Sequence, residues 1–333
     1  MFTSPLIKLF ALVSALVAMA STLLSIAAPA PSVPIPAPAA ITRLTRDPAN
    51  ALRPTWSPDN RRIAFESNRD GPSHLYLMNA DGSDVRALTS GPNDDRHPAW
   101  SADGRSILYD SSDASHQNIW SLRIADGSRT QLTRVDGLAD YAALSPDGQR
   151  LAFYVYKDMT LNLWSARPDG SDALPLTTDL ADARRHEPTL AWRQPGWSPD
   201  SQWLAYSGGG GKSIWLMRRD GSAARSVVAD GETNHFLWFL PDGRLAFITE
   251  YVPPRFDTAF TNASAFDLQN GQRTLLQEHM SMQGPMDFSS DLSRVLFHSP
   301  RAGRFDIYLV DLKAPGGLAA LQATRKPVET AGD

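Results

Sequence analysis

The strongest constraint on this chain is that it repeats itself. An aromatic or leucine, a small or apolar residue, Pro/Ala/Ser and then Asp recur as Trp56-Ser57-Pro58-Asp59, Trp100-Ser101-Ala102-Asp103 and Leu144-Ser145-Pro146-Asp147. The pattern continues as Trp197-Ser198-Pro199-Asp200, Phe239-Leu240-Pro241-Asp242 and Phe288-Ser289-Ser290-Asp291, its aspartates spaced by 44, 44, 53, 42 and 49 residues. Each copy goes on to an apolar run (RIAFES, SILYDS, RLAFYV, WLAYSG, RLAFIT, RVLFHS) of the length and β-rich content of a buried strand. A second strand follows, and in five copies a turn carrying Asp-Gly or Asn-Gly, dipeptides that supply positive φ at low steric cost. Most copies close on an apolar-polar strand such as RALT, TQLT or LPLT.

A unit of about 45 residues with four short strands is the signature of a propeller blade, because one blade buries its faces only against its neighbours. The expected fold is all-β: a six-bladed β-propeller of four-stranded antiparallel blades over residues 41–318, with a C-terminal tail over 319–333. Trp56, Trp100 and Trp197 are expected to wedge between blades. Composition agrees, since nine tryptophans, thirteen phenylalanines and eight tyrosines with 25 prolines and 22 glycines suit strands and tight turns. Closing the ring requires the two ends to share a blade. Ile41-Thr42-Arg43-Leu44-Thr45 resembles a fourth-strand ending and is the expected closing strand, with Ala320-Leu321-Gln322-Ala323-Thr324 the competing candidate.

Residues 1–28 carry one positive charge, Lys8, followed by an uncharged apolar run. That is the pattern of a signal peptide, with cleavage expected after Ala20 or Ala27, or of an uncleaved anchor. The Pro/Ala-rich stretch 29–40 is an extended linker. A periplasmic or secreted location follows. The sequence has no cysteine, which excludes disulfides, thiol catalysis and a lipid-bearing cysteine. A formal charge of -4, from 36 acidic and 32 basic side chains, argues against a nucleic-acid partner.

The stretch YSGGGGKSIW imitates a nucleotide-binding loop. A phosphate loop would need glycine at position 206, which is Tyr206, and a helix after Lys212-Ser213, where the repeat instead places a strand. No nucleotide is expected. The Asp-Gly aspartates Asp81, Asp126, Asp169 and Asp220 each stand alone in a turn, without the closely spaced oxygens of a calcium loop. The aromatic-rich insertion from Tyr251 to Ser264 is expected to pack on its own blade, with a binding lid as the alternative.

The repeats resemble the propeller of the TolB family. The resemblance rests on the WSPD turns, the IAFxS strands, Ser67-Asn68-Arg69-Asp70-Gly71 before Leu75-Tyr76, and Ser299-Pro300-Arg301-Ala302-Gly303 before Ile307-Tyr308. It implies the fold from Ile41 to about Leu312, in a periplasmic setting, without the α/β domain that precedes the propeller in TolB. Similar repeats occur beside the catalytic domain of prolyl-oligopeptidase-like peptidases and in some sugar lyases. No Gly-x-Ser-x-Gly nucleophile elbow is present.

The loops entering the innermost strands are the candidate site, because in a propeller they converge on one mouth of the channel. They place Arg53, Asp95, Arg96, His97, Asp140, Tyr141, Arg185, His186, Glu187, Gln194, His235 and Gln283 there. Arg and Tyr suit interface anchors, and carboxylates pair with basic partner groups. The expected function is a monomeric, non-catalytic scaffold binding a protein or peptide in the cell envelope, with no cofactor. The alternative is a metal-assisted carbohydrate lyase or hydrolase using His97, His186 and His235 as ligands.

Overall fold

The computed structural model describes residues 41–314 apart from 114–115, 179–180, 183–193, 209–210, 241, 252–259, 281–285 and 301–302. The leader, the linker, the competing closing segment at 320–324 and most of the Tyr251–Ser264 insertion lie outside these residues. No α-helix occurs among the described residues, and the secondary structure is entirely β.

Strands of consecutive units pair in sequence order. In the first unit Ala51–Trp56, Arg62–Ser67, His74–Asn79 and Arg86–Ala87 form one four-stranded sheet. Gly196–Trp197 to Arg225–Val228, and Thr233–Phe239 to Arg273–Met280, form two more. A nine-stranded sheet holds the antiparallel runs beginning at Asp94–Trp100 and Leu138–Leu144, joined by one parallel pairing of Leu138 with Gln117. The last sheet sets Ile41–Arg43 beside Asp306–Asp311, with Arg294–Ser299 and Asp287–Phe288 beyond. The first strands lie side by side: Ala51–Trp56 by Asp94–Trp100, then Leu138–Leu144, Gly196–Trp197 and Thr233–Phe239, with Asp287–Phe288 returning to Ala51–Trp56. Trp238 stacks on Phe288 with ring centroids 5.7 Å apart, joining the fifth first strand to the sixth. The architecture is an all-β propeller.

Burial explains the second strands. Ile63, Ala64, Phe65, Val295, Leu296 and Phe297 are wholly buried because both faces of each sheet meet a neighbour, so the strand is apolar without alternation. The turn aspartates are structural. The Ser57 hydroxyl donates to Asp59 at 2.6 Å, and Asp59 accepts the Arg61 N–H at 3.1 Å, while Ser57 Oγ accepts the Arg62 N–H. The same set recurs at Ser101/Asp103, Ser145/Asp147, Ser198/Asp200 and Ser289/Asp291. Asp81, Asp126, Asp169 and Asp220 each hold the N–H and hydroxyl of a serine two residues on.

On either side of the glycine-rich stretch, Trp203–Gly208 and Ser213–Arg218 pair antiparallel, so a strand follows where a phosphate loop would need a helix. A Cβ on Gly208 would lie 2.7 Å from the Trp215 ring, so a glycine there lets the indole lie on the backbone.

The wedge tryptophans carry a second role. Trp100 donates its indole N–H to the Thr55 carbonyl at 3.2 Å, and Trp197 to the Ala143 carbonyl at 3.0 Å, each bridging to the preceding first strand. Arg62 lies 5.2 Å from the Trp100 ring and donates to the Gly104 carbonyl; Arg294 lies 4.5 Å from the Trp56 ring and donates to the Asn60 carbonyl. A guanidinium thus caps the next unit's tryptophan.

At the ring's seam, Thr45 accepts the Ile307 N–H at 2.9 Å, as Thr89 accepts Leu75, Thr133 accepts Ile119 and Thr177 accepts Leu163 within their own units. Ile41–Thr45 therefore occupies the fourth-strand place of the last sheet. Asp306, with no exposed side-chain surface, accepts Arg43 at 2.6 Å and the Thr45 hydroxyl at 3.1 Å.

Candidate functional site

Four first strands share one irregularity. Pairing with the second strand slips between Leu52 and Thr55, Arg96 and Ala99, Asp140 and Ala143, and His235 and Trp238. At each slip sits a non-glycine residue in left-handed conformation: Arg53 (φ 46), His97 (φ 52), Tyr141 (φ 53) and Phe236 (φ 52). Such bulges cost conformational energy and re-aim the side chain and its N–H.

Three of these bulge N–H groups are taken up by the preceding unit's second strand. His97 N–H donates to Glu66 Oε1 at 2.6 Å, and Arg53 N–H to His298 Nδ1 at 3.3 Å. The Tyr141 N–H donates to the Asp110 carboxyl. Side chains extend the network: Arg53 Nη1 donates to Glu66 Oε2 at 2.9 Å, and Gln117 Nε2 to Asp110 Oδ2 at 3.2 Å. His97 Nδ1 lies 2.7 Å from Asp110 Oδ1, and its ring stacks on Tyr141 with centroids 3.9 Å apart.

Burial sets the protonation of this tier. It pushes His97 down to about 3, helped by the Arg53 charge, and Asp110 up to about 8 against the opposing Tyr141 N–H bond. The His97–Asp110 pair is therefore net neutral near pH 7, with one proton between Nδ1 and Oδ1. His298 is also pushed down to about 3 by burial. Burial raises Tyr141 as well. Glu66, Asp110 and His298 were not singled out from the sequence. They occupy the same place in RIAFES, SILYDS and RVLFHS, and a charged or imidazole side chain inside an otherwise apolar strand was the available signal.

A cavity of about 340 Å³ lies at the far ends of the first strands, on the side of the Ser-Pro-Asp turns. Thr55, Ala99, Ala143, Gln194 and Asp287 line it together with Trp56, Trp100, Leu144, Trp197 and Phe288, and Pro58, Asn60, Pro146 and Ser290 edge it. Among the described residues its one carboxylate is Asp287, which accepts the Thr55 hydroxyl at 2.9 Å and the Trp56 N–H at 2.6 Å. Burial pushes this carboxyl up to about 6. Asp287 was missed because DF falls at the anchor, where packing alone was expected.

The expected site residues separate into groups. Arg53, His97 and Tyr141 come together in the bulge tier. Gln194 lines the cavity at the opposite end of the strands from the expected mouth. Asp95 is buried, with His74 3.8 Å away, and its N–H donates to the Ser73 carbonyl at 2.7 Å, tying two loops. Exposed Arg96 pairs with Asp94 at 3.3 Å, and half-buried Asp140 pairs in register with Tyr154. Arg185, His186, Glu187, Gln283 and the His235 side chain lie outside the described residues. Among the described residues no group of three His, Asp or Glu side chains is arranged to hold a metal ion. Among the described residues His97 Nε2 is buried without a hydrogen-bond partner.

Sheets paired in chain order, first strands packed side by side around a cavity, and a last sheet completed by the first strand define a β-propeller protein. Residues 37–185 match the family described as TolB beta propeller domain. The Tol-Pal system protein TolB of Syntrophus aciditrophicus (strain SB) is 35% identical over 48 residues, 14% of this chain and 11% of that protein's length. An oligogalacturonate lyase in complex with manganese superposes with TM-score 0.63 at 15% identity, covering 85% of this chain and 96% of the lyase. A putative TolB from Agrobacterium tumefaciens gives TM-score 0.60 at 19% identity, covering 81% and 96%. TolB from Acinetobacter baumannii gives 0.59 at 16%, covering 80% of this chain and 63% of that one. At such identities the superpositions speak for the fold alone. The matched residues 37–185 hold the first three repeat units, and it is these that resemble the TolB beta propeller domain.

Proposed function

We propose that this chain is an exported six-bladed propeller that binds a protein or peptide segment in the cell envelope and catalyses no reaction on it. The count of six takes the nine-stranded sheet as two blades that meet at the Leu138–Gln117 pairing. The observation that carries the binding reading is the cavity at the first-strand ends. Its three indoles are of the residue type most enriched at interface hot spots, its prolines and leucine add apolar wall, and Asp287 and Gln194 add one carboxylate and one amide. A carboxylate with its Oδ2 held by Thr55 and Trp56 is a fixed acceptor, suited to a lysine or arginine of the bound segment. The charged groups of the bulge tier bond to one another, as rigid walls rather than as a poised acid and base.

Peptides selected from a random library against the wild-type protein should carry a basic residue, and Asp287→Asn should weaken their binding by roughly tenfold. Equal affinity for both proteins would remove Asp287 from the reading, and failure to select any peptide would count against binding in this cavity. The metal-assisted alternative has one observation in its favour. His97 is held neutral, the form in which imidazole ligates, and its Nε2 is buried without a partner among the described residues. Manganese titration settles between the two: stoichiometric binding abolished by His97→Ala supports the alternative, and no binding removes it.

A further inference from the structure

Two departures from the repeat meet at one place, between the third and fourth units on the turn side. Position 62 of the first unit and 294 of the sixth are arginines that cap the next unit's tryptophan and donate to a backbone carbonyl there, as described above. Arg150 holds the same position in the third unit. Its counterpart contacts would be the Trp197 ring and the Ser201 carbonyl, and it makes neither. The second departure is Arg219. Its N–H donates to the Gln202 carbonyl, as Ala80 donates to Arg61, Ile124 to Arg105 and Leu312 to Ser293. Those three are apolar residues packed against the core. At this position the fourth unit has a guanidinium instead.

Arg150 and Arg219, with Arg218, Gln202 and Asp220, line a second cavity of about 300 Å³. Its charges can be counted directly. Arg219 pairs with Asp147 at 3.0 Å. Arg218 lies 5.0 Å from the Trp203 ring, and after the Ser222 bonds its charge helps hold the Asp220 carboxyl below its usual range, but it makes no ion pair among the described residues. Among the described residues Arg150 makes no ion pair. Asp220 spends Oδ1 on the N–H and hydroxyl of Ser222, at 2.9 and 2.6 Å. Three guanidiniums thus face two carboxylates, and the two that make no ion pair border the same space. Guanidiniums present paired N–H donors in a fixed fork that matches the oxygens of phosphate and carboxylate.

We infer that this cavity binds an anionic sugar, its phosphate or carboxylate held by Arg150, Arg218 and Arg219. The volume exceeds what a bare oxyanion fills and falls at the small end of ligand pockets. Asp220 Oδ2 and Gln202 Oε1 remain available to accept hydroxyls, since the Gln202 amide nitrogen already donates to the Asp200 carbonyl at 3.2 Å. The site lies apart from the first-strand cavity and does not depend on the function proposed for that cavity.

Isothermal titration of the mature protein with glucose 6-phosphate, glucuronate, inorganic phosphate and glucose tests the inference. One of the two anionic sugars should bind, and which one does so assigns phosphoryl or carboxyl recognition. Binding should weaken roughly tenfold in Arg150→Ala and fall as salt is raised. Among the described residues the Arg150 side chain makes no hydrogen bond or ion pair, so Arg150→Ala should retain the fold, which circular dichroism checks. Arg219→Ala provides a second loss through a different residue. The inference is overturned if neither anionic sugar binds at about 10 mM, if glucose binds as well as they do, or if Arg150→Ala leaves affinity unchanged. Inorganic phosphate binding as tightly as glucose 6-phosphate would overturn the sugar part.

Discussion

Closure of the ring by Ile41–Arg43 makes a quantitative prediction at Asp306. Its carboxylate has no exposed surface, while Arg43 is 26% exposed, so the two ends of the ion pair are not equivalent. Arg43→Ala leaves a buried charge with the Thr45 hydroxyl at 3.1 Å and Arg304 only at 3.9 Å, and should cost about 3 kcal/mol. Asp306→Ala removes the buried charge itself, so the desolvation it imposed is recovered. What is lost is one charge-assisted bond and one hydroxyl bond, about 2 kcal/mol net. The double variant should then fall short of the sum by about 1.5 kcal/mol, a coupling expected only of residues in contact. Urea denaturation of the four proteins, followed by tryptophan fluorescence, gives the midpoints and slopes. A coupling below about 0.5 kcal/mol, the scatter of independent sites, would refute closure through this pair. An unchanged slope is part of the expectation, because the surface exposed on unfolding stays the same.

Gly170 has φ 84, and a Cβ there would lie 1.6 Å from the Leu132 carbonyl oxygen of the preceding unit. Gly170→Ala should therefore cost more than the roughly 1 kcal/mol of backbone strain alone, and a midpoint shift no larger than that would contradict the contact. Asp110 predicts a pH dependence. Its carboxyl is pushed up to about 8 in the folded protein, whereas the unfolded chain has already released this proton near 3.8. The folded state holds the extra proton, so this contribution to stability declines as pH rises from 3.8 through 8. Below 6.5 the lowered His97 and His298 act in the opposite sense, stability rising with pH from about 3, and Asp287 adds a decline up to about 6. Between pH 6.5 and 8 Asp110 is the remaining one of these four, and stability should fall by at most about 1.4 kcal/mol per pH unit. Asp110→Asn should flatten that segment; the same slope in the variant would show that another group titrates.

The strands, turns and wedges were legible because each rests on a local rule repeated along the chain. Ser57 and Asp59 build their turn from atoms within five residues, and Asp81 does so within two. Gly208 and its neighbours could be excluded as a phosphate loop by alignment with sister copies. The bulge tier was only half legible. Arg53, His97 and Tyr141 stood out as polar residues near the anchors, but the groups that hold their N–H donors, His298, Glu66 and Asp110, come from the preceding unit. Nothing local announces a left-handed φ at an arginine, a histidine or a tyrosine either; it arises when two strands of fixed register must curve at the ring's centre. The cavity with Asp287 at the turn-side end was hidden for the same reason, since its walls come from units far apart in sequence.

The seam that joins Arg43 to Asp306 spans 263 positions. During synthesis the first strand of the ring has no partner until the last is made, and until then the growing assembly is an open arc with a bare edge at each end. Contacts so distant in sequence form late and slowly, and an unpaired edge is a template for joining another chain. The arc's survival therefore depends on timing: whatever shields those two edges while the chain emerges determines how much of it becomes a closed ring.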